Sequence, residues 1–278
     1  MNIFFHKFKL KPLTSLNRFS GQDSREGVFL KTEGLEGVGF CEYFPHPELG
    51  DEDVDHFLSS FYDQKSSAQK KAMYFLSPSW SKTYVPRHFF NHQLVIPESP
   101  IESTVLKYKI KHKDDLGFLS LMNHKNKIRL DANGLFDRNS WSTFIQKIPL
   151  SSRPYIEYIE DPFATSNWSD IILPRASDFI LGNPYEIKIY KPYREFYPKN
   201  EKKVIFSGNL GHGLANYQAY LELVQFGNLN EHHGLLTRRI YEETPELFEG
   251  NYEIGFSPNQ DALHKYFDFL SALNWTTL

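Results

Sequence analysis

The sequence predicts an α+β layer followed by a β/α region built on a parallel sheet. Three observations carry this. Strand signals crowd the first 43 residues and helical signals follow them. A stretch rich in proline and aromatic residues, 77–100, interrupts the chain at Pro78, Pro86, Pro97 and Pro100. Beyond residue 100, short apolar runs of strand length alternate with helical runs.

In the first part, residues 3–12 and 27–43 read as strands. Val28-Phe29-Leu30 and Val38-Gly39-Phe40 flank a glycine-rich, charged link at 31–37, which suits a hairpin. An amphipathic run over residues 54–61 reads as a helix with Asp51 as its N-cap, and 65–76 as a second helix starting near Ser66-Ser67. In the second part, strands are expected at 103–110, 127–132, 155–160, 186–190 and 203–207, and helices at 139–148 and 214–226. The expected division is 1–97, 98–250, and a segment 251–278 that returns to the first part.

Composition narrows the function. Of 278 residues, 40% are apolar and 23% charged, the balance of a globular chain rather than a disordered one. The net charge of −3 offers no global field for nucleic acid or an anionic membrane, so neither is an expected partner. Cys41 is the single cysteine, which excludes an internal disulfide and a cysteine-built metal centre. The N-terminal run MNIFFHKFKLKPL alternates apolar and basic residues without a signal-peptide core, and no apolar stretch reaches membrane-spanning length. A cytoplasmic location is expected.

Charged residues at strand ends carry the chemical signal. In Arg129-Leu130-Asp131-Ala132-Asn133-Gly134, alternation puts Arg129, Asp131 and Asn133 on one face. Polar groups converging there call for a ligand, unless Asp131 and Asn133 merely satisfy a turn. Glu160 closes the next strand, ahead of Asp161-Pro162, so two successive β/α strands end in a carboxylate, the hard oxygen donor that Mg²⁺ selects. Asp178, after Pro174-Arg175-Ala176-Ser177, is a third candidate, with Asp170 as its fallback. Lys107, Lys109 and Lys111 share one strand face, either solvated at an edge or turned into a closed barrel, where a buried ammonium becomes a base. Lys191 ends a later strand. Ser207-Gly208-Asn209 and Gly211-His212-Gly213 precede the 214–226 helix, where backbone N–H groups could meet an anion or simply form a turn. His88 and His92 have the i,i+4 spacing of a helical metal pair, but their aromatic, proline-flanked context favours packing. There is no phosphate-binding glycine loop and no Gly-x-Ser-x-Gly elbow.

In order, these motifs resemble the enolase superfamily, and within it the o-succinylbenzoate synthases. The resemblance runs from Ser24-Arg25-Glu26-Gly27-Val28 through Glu36-Gly37-Val38-Gly39-Phe40-Cys41-Glu42, Pro45-His46-Pro47, Lys107-x-Lys109, Arg129-Leu130-Asp131-Ala132-Asn133, Ile159-Glu160-Asp161-Pro162 and Ile189-Tyr190-Lys191-Pro192 to Ser207-Gly208-Asn209. It implies an α+β capping domain followed by a modified, trimmed TIM-type barrel. It implies Mg²⁺ on Asp131, Glu160 and Asp178, and Lys109 as general base and acid. Lys107 would tune that base, and Lys191 would stabilise the anionic intermediate from the opposite side. Arg129, Asn133, Ser207, Gly208 and Asn209 would line the pocket for a small-molecule carboxylate, with the loop at 17–24. The implied reaction is dehydration of 2-succinyl-6-hydroxy-2,4-cyclohexadiene-1-carboxylate to o-succinylbenzoate in menaquinone synthesis. Dipeptide epimerisation, muconate cycloisomerisation and N-succinyl amino acid racemisation are alternatives, as is a non-catalytic carboxylate-binding descendant.

The sequence departs from the family pattern in three places. Ser177-Asp178-Phe179 stands where Asp-Glu-Ser is usual, only thirteen positions separate Asp178 from Lys191, and Gly211 replaces a common acidic residue. About 180 residues follow position 97, against roughly 250 in a typical (β/α)₈ barrel, so helices are expected to be short or missing after Asp178 and around 192–202.

Overall fold

The computed structural model describes residues 2–13, 23–78, 87–95, 100–123, 125–164, 172–178, 185–208, 210–236, 241 and 244–278. Strands β1 (Asn2–Leu10), β2 (Arg25–Gly34) and β3 (Gly37–Tyr43) form an antiparallel sheet, the last two joined by a tight turn at Leu35-Glu36. Helix α1 (Val54–Ser59) is capped by Asp53, which accepts from His56 N at 2.8 Å, and not by Asp51 as the sequence suggests. Asp51 is drawn off by a long-range partner described below. Helix α2 (Ser67–Phe75) starts at the expected place, with a reciprocal capping box between Ser66 and Gln69. Both helices cover one face of the sheet, where Ile3, Val28, Leu30, Cys41, Phe57, Phe61 and Phe75 are buried together. Gly39 lets the end of α2 approach, because a Cβ there would collide with the Leu76 carbonyl. Thr32 Oγ1 donates to that carbonyl at 2.8 Å.

The second layer is a ring of parallel strands. It comprises β4 (Phe90–Asn91), β5 (Gln93–Leu94), β6 (Val105–Lys109), β7 (Lys127–Asp131), β8 (Ile156–Glu160), β9 (Arg175–Ser177), β10 (Ile187–Tyr190) and β11 (Val204–Phe206). Strands β5 to β11 pair in chain order in one sheet. A two-residue strand, β12 (His232–His233), pairs with β4 and completes the circuit. Its hydrogen bonds run from Gly234 N to Phe206 O (2.8 Å), Gly208 N to Gly234 O (2.7 Å) and His92 N to His233 O (2.7 Å). The β4/β5 pair therefore supplies one of eight positions in a modified TIM barrel.

Alternation assigns the faces. Ile128, Leu130, Ile156 and Ile159 pack outward on Trp141, Phe144 and Ile145 of helix α3 (Arg138–Lys147). Their neighbours Arg129, Asp131, Tyr158 and Glu160 therefore point inward. The register slips between Ile128 and Arg129, leaving Glu157 as an extra residue in β8. The barrel is trimmed as its length requires. Among the described residues, the β6–β7 connection contains only a 3-10 turn (Gly117–Leu121), and residues 191–203 connect β10 to β11 without a helix.

Helix α4 (Leu214–Phe226) spans the residues read as helical in the sequence. The hairpin of β13 (Phe248–Asn251) and β14 (Gly255–Pro258) and helix α5 (Gln260–Ala272) escape the sequence reading. They bury Phe248, Phe256, Leu263, Tyr266 and Leu270 with Tyr217 and Tyr220 of α4. The chain ends in β15 (Thr276–Thr277), which pairs antiparallel with Phe4 and Phe5 of β1. Among the described residues, no helix is long and apolar enough to cross a membrane.

Candidate active site at the barrel mouth

Charged side chains converge at the C-terminal ends of β6 to β10, the end where barrel enzymes place their chemistry. Lys109, Asp131 and Glu160 are register partners on adjacent strands and form one inward row. Asp178 lies two residues after inward Ala176, and Lys191 two after inward Ile189. Lys111 falls beyond the end of β6 and is exposed, which leaves Lys109 as the lysine of the row. Because β6 and β10 are four steps apart in an eight-membered ring, Lys109 and Lys191 face each other across the barrel.

Lys107 Nζ lies 3.0 Å from Asp131 Oδ2 and donates to Glu160 Oε2 at 2.8 Å. Lys191 is in direct ionic contact with Asp178, and Arg194 Nη1 stands 3.8 Å from the other oxygen of that carboxylate. Arg194 also grips Asp51 through two bonds of 2.6 and 2.8 Å, tying the turn after β3 to the barrel. This is the partner that removes Asp51 from helix capping.

The electrostatics follow from burial and these contacts. Burial opposes the charge on Lys107, but Asp131 and Glu160 reverse this and hold its pKa well above the ordinary lysine value. For Lys109, burial wins: with Lys107 and Lys191 pushing the same way against Asp131, its pKa is lowered. Burial, together with Asp131 and Asp178, pushes the Glu160 carboxyl up to about 7 against the pull of Lys107. Asp178 shows the reverse balance, since Lys191 and Arg194 overcome burial and lower it to about 2.

The residues present fit a hard divalent cation. Carboxylate oxygens of Glu160, Asp161 and Asp178 lie within 4.8 Å of one another. Buried Oδ1 atoms of Asp131 and Asp178 have no hydrogen-bond partner among the described residues. Such oxygens, and a carboxyl pushed toward its neutral form, are what a cation would satisfy. The sequence reading did not include Asp161 in the cluster. Its φ of 40° is left-handed, so it turns inward beside Glu160 instead of alternating away, and Asp161 Oδ2 accepts the Asp178 N–H at 3.1 Å. Nothing in the sequence signals this, since the following Pro162 favours extended rather than left-handed backbone at Asp161.

The candidate pocket residues are placed unevenly. Arg129 is 1% exposed and lies inside the barrel below Asp131. It contacts Glu157 (2.8 and 3.2 Å), His92 Nδ1 (2.9 Å) and the His232 carbonyl (2.7 Å) and stacks on Tyr158. The bulge at Glu157 aims the carboxylate at it. His92 is accordingly a buried partner within strands, not a helical metal ligand. Asn133, at φ 46°, and Gly134, at φ 69°, carry the chain off the end of β7 through two left-handed residues. Ser207 and Gly208 sit where β11 meets β12. Asn209, the fallback Asp170 and loop residues 17–22 lie outside the described residues.

The helix N-terminus read as an anion site is already filled. Glu42 of β3 accepts from His212 N (2.5 Å) and Ala215 N (2.9 Å) at the start of α4. Gly211 makes room, because a Cβ there would collide with Glu42 Oε1.

Comparison with known proteins places this arrangement. Residues 3–75 match the O-succinylbenzoate synthase N-terminal domain family. The o-succinylbenzoate synthase of Bdellovibrio bacteriovorus is 28% identical over 186 residues, an alignment that spans 59% of this chain and 56% of that relative. The crystal structure of o-succinylbenzoate synthase from Thermosynechococcus elongatus, complexed with Mg in the active site, superposes with a TM-score of 0.69 at 16% identity, covering 97% of this chain and all of that one. The chain has the enolase-superfamily fold. The o-succinylbenzoate synthase resemblance read from the motifs holds. Within the superfamily fold, the N-succinyl Arg/Lys racemase of Bacillus cereus is equally near in shape, with a TM-score of 0.69 at 12% identity over the full length of both chains.

Proposed function

We propose that the protein is a Mg²⁺-dependent lyase that removes a proton α to a carboxylate, acting as an o-succinylbenzoate synthase in menaquinone synthesis. The observation that carries this is a partly exposed lysine of lowered pKa, Lys109, facing a second lysine across a buried carboxylate cluster. The matched N-terminal domain family and the Bdellovibrio relative support the choice of reaction.

In this reading Asp131, Glu160 and Asp178 hold the metal, and Asp161 positions Asp178 through its backbone N–H. When bound, Mg²⁺ supplies positive charge where the substrate carboxylate accumulates negative charge. Lys109 Nζ, whose pKa is lowered by burial and two neighbouring ammonium groups, takes the α-proton when it is in its neutral form. The same Nζ, now protonated, returns that proton to the departing hydroxide on the same face of the ring. Lys191 offsets the charge spread over the ring from the opposite wall. Arg194 and Asp51 fasten the turn after β3 to the barrel beside Asp178. Lys109→Ala is expected to reduce turnover about a thousand-fold while Mg²⁺ still binds. Turnover within a few-fold of wild type would remove Lys109 from this role.

The facing lysines favour one second reading. Racemases and epimerases need a proton acceptor on each face of a stereocentre, and Lys109 with Lys191 supplies that pair. Deuterium wash-in at the α-carbon of N-succinyl amino acids or dipeptides in D₂O, without loss of water, would select this reading.

A further inference from the structure

We propose that Lys107 is a resident counter-cation that Mg²⁺ must displace, and that it thereby sets the metal affinity of the site. This rests on the metal reading above and adds a role for Lys107 beyond tuning its neighbour. The ammonium bridges Asp131 Oδ2 at 3.0 Å and Glu160 Oε2 at 2.8 Å, two of the oxygens available to a cation. Its side chain is 12% exposed, so these ion pairs form in a poorly screened setting. Asp178, the third carboxylate, is held by Lys191. The carboxylates of the cluster are therefore partly compensated by the chain's own two lysines.

Each bridged oxygen keeps a second lone pair, so the competition is electrostatic. A divalent cation on these carboxylates would place three positive charges within a few ångströms of one another, in a poorly screened setting. Cation binding thus exchanges Lys107 for the metal, and the observed affinity is the intrinsic affinity reduced by the strength of the Lys107 bridge. In return, the bridge prevents two adjacent buried carboxylates from facing each other uncompensated when the metal is absent. The Asp131 Oδ1 atom, which the bridge leaves without a hydrogen bond, marks an open position for first contact.

The test is Mg²⁺ titration calorimetry and thermal melting of wild type, Lys107→Met and Lys203→Met. Lys203 pairs with Glu157 and Glu231 at the opposite end of the barrel, so it controls for loss of one positive charge. Lys107→Met is expected to bind Mg²⁺ at least about ten-fold more tightly, to melt lower without metal, and to gain more stability on addition of metal. Lys203→Met should stay within about two-fold of wild type. If wild type binds Mg²⁺ and Lys107→Met binds it no more tightly, this inference is overturned and the metal reading stands. If neither binds, both fall. Should Lys107→Met fail to fold, wild-type crystals with and without Mg²⁺ decide: Nζ is expected to leave at least one of the two carboxylates, and an intact bridge beside bound metal overturns the proposal.

Discussion

Lys109 concentrates the chemistry in one side chain, and its environment makes a signed claim about pH. A base must be unprotonated to act, so activity falls as pH drops through its pKa. Burial and the charges of Lys107 and Lys191 lower that pKa from 10.5, so the acid limb of kcat/KM should lie below the ordinary lysine range. Lys191→Met removes one of the lowering charges, and the limb is expected to move to higher pH. An unmoved limb would show that the titrating base is not Lys109. Asp131→Ala should weaken Mg²⁺ binding roughly a hundred-fold, checked by calorimetry, because it removes one of the three carboxylates proposed to hold the metal. At this scale the sequence was legible wherever a charged residue ends a strand. Asp131, Glu160 and Lys191 could be picked out because alternation fixes their face. Asp161 could not, since a left-handed φ reverses the direction that alternation assigns. The partners of Arg129 were not legible, because Glu157 reaches it only through a bulge and His92 only through barrel closure.

Among the elements, the β3–α4 junction is where capping sheet and barrel share a polar group. Glu42 is buried among the backbone N–H groups at the start of α4, and burial outweighs those donors to push its carboxyl from 4.5 up to about 7. A raised folded pKa means that the folded state binds the proton more tightly. Its stabilising contribution is therefore full below pH 4.5 and lost as pH rises through about 7. Glu42→Gln should flatten the melting-temperature profile across that window, measured at saturating Mg²⁺ so that Glu160 is held ionised. An identical slope in the two proteins would show that Glu42 does not titrate there. The extent of α4 was legible from the sequence as a helical run over 214–226. The identity of its capping anion was not, because Glu42 lies 170 residues from its first donor, His212. Likewise β4 and β12, two residues each, are too short to leave a pattern, yet they complete the ring.

As a whole, the molecule is a shortened barrel joined to the N-terminal sheet by a shared apolar cluster and by a few buried polar contacts. Lys71 of α2 forms an ion pair with Glu222 of α4, and both side chains are 1% exposed. Tyr190 OH donates to Glu222 at 2.5 Å and accepts from Lys71 at 3.1 Å. Four aromatic rings, of Tyr74, Phe75, Tyr190 and Phe196, surround the ammonium. Glu222→Gln leaves that ammonium without a counter-charge and should destabilise the fold by about 3 kcal/mol. The double variant Lys71→Met, Glu222→Gln should recover most of this loss in denaturant unfolding. Additive losses would mean the two residues do not act as a pair. The trimmed barrel could be anticipated from chain length alone, since the residues after the first layer cannot supply eight full β/α units. The hairpin β13–β14 could not, because its buried Phe248 and Phe256 are shared with α4. Helix α5 did leave a signal, Leu263, Tyr266 and Leu270 on one face after a capping Asn259, which the sequence reading passed over.

The account's central claim is metal-assisted proton abstraction by Lys109, and one assay tests it most directly. Purified protein is mixed with 2-succinyl-6-hydroxy-2,4-cyclohexadiene-1-carboxylate, and o-succinylbenzoate is followed by absorbance with Mg²⁺, then with EDTA, for wild type and Lys109→Ala. Rapid product formation by wild type, abolished by EDTA and by Lys109→Ala, is the expected result. No product from the metal-loaded wild type, or undiminished turnover in EDTA or in Lys109→Ala, would contradict it.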